Sequence, residues 1–170
     1  MFVAIHSCSP FWDEAERSDV IVWNRGAHVL PLETTLRQTA ALASRLAAEG
    51  PLRTKLHVWR TTAVGHWPCG FLSPGPAAPI PANRTNATRP LPFYLDAWRQ
   101  IPGQSERILS ILRERKVALR VLDAAGILAQ RRDLHGSPPF ADCLHYCIPG
   151  PWDWVARVLT KMVADVPARL

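Results

Sequence analysis

Short apolar runs alternate with amphipathic stretches along most of this chain. Asp19 to Asn24 (DVIVWN) is rich in β-branched residues and runs into Asn-Arg-Gly, the form of a buried strand that stops at a tight loop. From Leu32 to Glu49 the apolar residues Leu36, Ala40, Ala43, Leu46 and Ala47 recur three or four positions apart, which predicts a helix with Pro31 at its start and Gly50 at its stop. Lys55 to Thr61 (KLHVWRT) alternates and ends on polar residues, a second strand. Gln104 to Lys116 puts Ile108, Ile111 and Leu112 on one helical face with Ser105 near the start, and Val117 to Asp123 (VALRVLD) reads as a third strand. A last helix from about Trp152 to Val163 would bury Val155, Val158, Leu159, Met162 and Val163.

Strand, helix, strand, helix, strand, helix is the order of an α/β layer fold with a parallel sheet. Sites in such sheets form at the carboxyl ends of strands. The residues at those ends are Asn24 with Gly26, Arg60 with Thr61, and Asp123. Residues 65–92 are dense in Pro, Gly and small polar side chains without periodicity, a long loop excursion. A length of 170 residues suits a single domain spanning residues 1–170.

Composition narrows the classes. With 48% apolar and 20% charged residues the chain has enough apolar surface for a core, so disorder is excluded. The net charge of +6 comes almost wholly from scattered arginines, without the basic cluster interleaved with aromatics that a nucleic-acid partner would require. No apolar run approaches the roughly 18 residues of a membrane span, and MFVAIHSCSP is too short and uncharged for a signal peptide. The four cysteines, Cys8, Cys69, Cys143 and Cys147, allow three complete pairings. PANRTNATRP carries two N-x-Thr sequons, at Asn83 and Asn86, and together with the even cysteine number these favour a secretory-pathway lumen.

The densest chemistry lies in ADCLHYCIPGPWDW, residues 141–154. Asp142 and His145 form a D-x-x-H pair, in which the carboxylate accepts from the imidazole, fixes its tautomer and frees the other nitrogen as a base. The plainer alternative makes Asp142 a helix cap and His145 a half-buried polar residue. A zinc site would combine Cys143, His145, Cys147 and His135, but C-x-x-x-C around one histidine is not a standard zinc spacing. No metal and no cofactor are therefore expected. An aromatic face among Trp67, Trp152 and Trp154 would suit a sugar surface, although Trp154, at the opening of an amphipathic helix, is expected in the core.

The same segment resembles the C-terminal motif of the PC-esterase and trichome birefringence-like family, D-C-x-H-x-C-[LI]-P-G, matched at Asp142, Cys143, His145, Cys147, Ile148, Pro149 and Gly150. SDVIVWNRGAH is similar to that family's strand followed by N-x-G-x-H, at Asn24, Gly26 and His28. VWRTTAVGHWPCG is similar to its R-T-x-x-x-x-H segment with a following cysteine, at Arg60, Thr61, His66 and Cys69. The resemblance implies an SGNH (GDSL-like) three-layer α/β/α sandwich and acyl-ester chemistry on carbohydrates, by O-acetyltransferases or esterases. The partners it implies are a glycan acyl acceptor and an acyl donor. It further implies that His145 is the general base, Asp142 its orienting acid, Asn24 and Gly26 contributors to an oxyanion hole, and His28, Arg60 and His66 positioning groups.

One departure stands out. The family's nucleophile is a serine in a Gly-Asp-Ser block upstream of N-x-G-x-H, and no Gly-Asp-Ser occurs in this sequence. The expectation is therefore a C-terminal portion, with the serine and any targeting segment upstream of this chain. The alternative is an inactive remnant that binds glycan or a partner protein. In a lumenal (Golgi) or extracellular enzyme the cysteines would staple the catalytic loop, Cys143 to Cys69, with Cys147 paired to Cys8 or to a partner upstream.

Overall fold

The computed structural model describes residues 11–25, 31–48, 50–63, 65, 93–135 and 144–165. The chain divides into two compact units, Met1–Thr62 with Gln100–Leu122, and Ala63–Arg99 with Asp123–Leu170.

The first unit holds the three expected strands, β1 (Val20–Trp23), β2 (Leu56–Arg60) and β3 (Leu119–Leu122), in one parallel sheet of order β1-β2-β3. Trp23 lies level with Trp59 and Arg60 with Leu122. Ile21, Trp23 and Trp59 project into a core with Ala43 and Leu46 of α2 (Leu32–Ala47) and Ile108 and Leu112 of α3 (Phe93–Glu114). Val22, Val58 and Leu122, on the alternate positions, are buried as well, which is why these strands read as continuous apolar runs. An unforeseen short helix, α1 (Phe11–Arg17), adds Ala15 to the core.

Several boundaries differ from the sequence reading. The third strand begins at Leu119 because the chain is still closing α3 two residues earlier. Lys116 takes the left-handed conformation (φ 55°), its N–H donates to the Arg113 carbonyl, and the Val117 N–H reaches back to Leu112. That paired arrangement satisfies two otherwise orphaned carbonyls. Upstream, α3 begins at Phe93 and not at Gln104, running through Pro102. Proline removes one N–H but its fixed φ is helical, so the helix continues with one bond fewer.

The buried face of α2 is rotated from the expected one: Thr35, Thr39, Ala43 and Leu46 are buried, while Ala47 is exposed. The Thr39 hydroxyl donates to the Thr35 carbonyl at 2.8 Å, which lets a polar side chain sit inside. After α2 the chain turns at Gly50, whose φ of 145° is open to glycine alone.

At the centre of this core the Trp23 indole N–H donates to Nδ1 of His57 (3.0 Å), and the opposite ring nitrogen, Nε2, donates to the Leu52 carbonyl (2.8 Å). His57 is therefore held neutral, with its proton on Nε2, and burial depresses its pKa against the smaller raising effect of the Leu52 carbonyl. A proton on Nδ1 would face the indole N–H, donor against donor. Because the folded pKa lies below the unfolded value of about 6.5, the unfolded chain binds the extra proton and stability is lost as pH falls through that value. Thermal midpoints are expected to drop between pH 7 and pH 5 in the native protein and to drop less in His57→Gln. Parallel curves for the two proteins would contradict this assignment.

The second unit contains α4 (Ala124–Leu128), a 3-10 turn at Arg132–Leu134 and α5 (Pro151–Ala164). Asp123 serves as a cap, its carboxylate accepting from the Gly126 N–H at 3.0 Å. A Cβ at Gly126 would collide with that carboxylate. Helix α5 starts sharply: Pro151 is its first residue, and Asp153 accepts from the Gly150 N–H at 2.9 Å. Its buried side chains are Pro151, Val155 and Leu159. Contrary to expectation Val158 is 41% and Trp154 43% exposed, since they occupy the outer side of the same helix.

Candidate functional site

Two clusters of candidate residues are described, one in each unit. In the first, Asn24 follows β1 directly and Arg60 closes β2, so the parallel register brings them side by side. The Asn24 amide nitrogen donates to the Arg60 carbonyl and to the Thr62 hydroxyl, both at 2.9 Å. Both amide hydrogens are thereby engaged in tying the end of β1 to the segment leaving β2. Thr62, which the sequence reading passed over, is buried and completes this tie.

Asn24→Asp keeps the shape and removes both donors, and is expected to lower unfolding free energy by about 1–3 kcal/mol. Denaturant titration checks this, and coincident curves would mean that the two bonds contribute nothing. Beside Asn24, the Nε and Nη2 atoms of Arg25 are buried without a hydrogen-bond partner among the described residues, and burial lowers the pKa of that guanidinium. Burial lowers the pKa of Arg60 also.

In the second unit His145 is exposed, on a loop fixed from beneath. Nδ1 of His135 lies 2.6 Å from the His145 carbonyl oxygen, which can only accept, so His135 carries a proton on Nδ1 and donates it. His135 is 3% exposed, and its ring lies against that of Tyr146 at a centroid separation of 4.2 Å. The two residues form an antiparallel bridge, extended by the Cys147 N–H donating to the Leu134 carbonyl at 2.8 Å. The Tyr146 hydroxyl donates to the Leu128 carbonyl at 3.2 Å, and burial pushes its pKa up. Arg131 grips Asp133 with two bonds of 2.9 and 2.8 Å and lies 5.2 Å from the Trp154 ring centroid. The Arg131 hydrogen bonds hold the Asp133 carboxyl below the usual carboxylate range.

Cys147 is exposed and its thiol is free. Asp142, Cys143, Gly26, His28, His66, Trp67, Cys8, Cys69, Asn83 and Asn86 lie outside the described residues. Among the described residues no cluster of three or more His, Cys, Asp or Glu is arranged to hold a metal ion. His135, a zinc candidate by sequence, turns one ring nitrogen to a backbone carbonyl. No described helix is long and apolar enough to cross a membrane.

The chain shares 33% identity over 77 residues with "Protein trichome birefringence-like 23" of Arabidopsis thaliana, a match covering 37% of this chain and 18% of that protein. The chain thus spans well under two thirds of the relative's length. No family model matches it.

Proposed function

We propose that this chain carries the acid–base half of an acyl-transfer site acting on carbohydrate esters, within an SGNH-type α/β/α sandwich. The observation that carries the reading is an exposed His145, three residues after Asp142, on a loop whose backbone is pinned by a hydrogen bond from a buried histidine. Support comes from the D-C-x-H-x-C-I-P-G run and from the likeness to a trichome birefringence-like protein.

In this reading Asp142 accepts from Nδ1 of His145, and Nε2 takes the proton of a serine hydroxyl as that oxygen attacks the ester carbonyl. The family that the chain resembles draws this serine from a Gly-Asp-Ser block, which does not occur in this sequence. The resemblance assigns the charge developing on the carbonyl oxygen to Asn24 and Gly26, and the amide hydrogens of Asn24 are both engaged by Arg60 and Thr62. The imidazolium then protonates the departing alcohol. A second hydroxyl, of water or of a sugar, collects the acyl group by the reverse steps. His28, Arg60 and His66 position the substrate.

The setting is a secretory lumen (Golgi) or the cell exterior, with glycans on Asn83 and Asn86 and a Cys69 to Cys143 staple. Cys8, and Cys147 with its exposed thiol, remain for a partner.

The test is to incubate the full translated product of the gene with an acetylated polysaccharide. Acetate released to solution marks an esterase, and acetate recovered on a second polysaccharide marks a transferase. Neither product above a protein-free control would sink the enzymatic reading. It would favour the second one, a glycan- or partner-binding remnant, to which the absence of Gly-Asp-Ser from this sequence points.

A further inference from the structure

We infer that His135 is the positioning residue of the His145 loop: it fixes where the His145 ring stands, and with it the ring's tautomer, without touching substrate. This rests on the acyl-transfer reading of His145 and adds a residue to it.

A histidine on an exposed loop keeps its ring in one place only if the backbone that carries it is held. Here the holder is a buried ring. His135 donates from Nδ1 to the carbonyl of His145 itself, at 2.6 Å. Its other constraints converge on the same strand-like pair. The Tyr146 ring lies against it, the Tyr146 hydroxyl is anchored on the Leu128 carbonyl at the end of α4, and Cys147 is bonded to Leu134. The carbonyl of His145 and the two residues after it are therefore tied to a 3-10 turn and a helix, whereas the His145 side chain is exposed. A carboxylate three positions earlier can fix the imidazole tautomer only if the backbone that carries the ring keeps one orientation. Buried His135 supplies that orientation in the way a group behind an active histidine orients a metal- or proton-bearing ring.

The test reads the His145 tautomer by long-range nitrogen-15 correlation spectroscopy on the whole chain at alkaline pH. The native protein is expected to hold its proton on Nδ1, and Asp142→Ala to release the ring to the mixture of a free imidazole. His135→Asn, whose amide nitrogen replaces Nδ1, should retain the native tautomer. His135→Phe, which keeps the ring on Tyr146 but cannot donate, should lose it. If His135→Phe does not fold, His135→Gln, with its amide one bond too far, takes its place with the same expectation.

A native ring fixed by Asp142 yet indifferent to both His135→Phe and His135→Gln overturns the positioning role and leaves the acid–base pair standing. A native ring already mixed, and unmoved by Asp142→Ala, defeats the pair itself and the positioning role with it.

Discussion

Replacing His145 with alanine is expected to lower acyl-transfer turnover by about 10⁴-fold or more, leaving only what oxyanion donors and substrate binding supply. The expectation follows from a neutral serine hydroxyl being a poor nucleophile until a base removes its proton in the transition state. His145 is exposed, so the substitution removes little packing and the protein should fold normally. Turnover and thermal midpoint measured on the same preparation separate loss of chemistry from loss of fold. An unchanged rate would remove His145 from the mechanism.

Trp23→Ala is expected to be the most damaging substitution to the fold, at about 3–5 kcal/mol. Trp23 is 1% exposed and packs with Ile21, Trp59 and both neighbouring helices. Its ring also lies 6.2 Å from Trp12, centroid to centroid, so its loss opens a cavity that several elements line. There is a polar penalty besides, because Nδ1 of buried His57 would lose the indole N–H that it accepts. Trp23→Phe should fall between the two, filling most of the space but leaving that nitrogen without the indole. Denaturant midpoints order the three proteins, and equal midpoints for native and Trp23→Ala would mean that the core of this unit does not depend on its largest buried side chain.

The strands were legible because β1 and β2 are buried on both alternating positions, which leaves short, unmistakable apolar runs. The inner side of α2 was not, since Thr35 and Thr39 count as polar until one sees the hydroxyl of Thr39 bonded to the carbonyl one turn back. Periodicity likewise put Val158, and its place at the helix opening put Trp154, on the inner side of α5, although Val155 and Leu159 are buried there and the other two are exposed. Pro102 masked the first part of α3.

At the candidate site, Asp142 and His145 are proposed from local spacing and resemblance. Residues that hold such groups could not be found that way. His135 meets His145 across ten positions through a bridge that has no sequence signature, and Thr62 reaches Asn24 only because two parallel strands place them together. Partners brought together by tertiary structure leave no local trace, whereas a motif four residues long does.

The central claim, that Asp142 and His145 act as one acid–base unit, is tested most directly by a double-mutant cycle on turnover of an acetyl-ester reporter by the full translated product. Asp142→Ala and His145→Ala should each reduce the rate by orders of magnitude, and the double variant should fall no further than His145→Ala alone, as expected of groups that work through one proton transfer. Losses that multiply in the double variant, or turnover equal to the native protein in either single one, would contradict it.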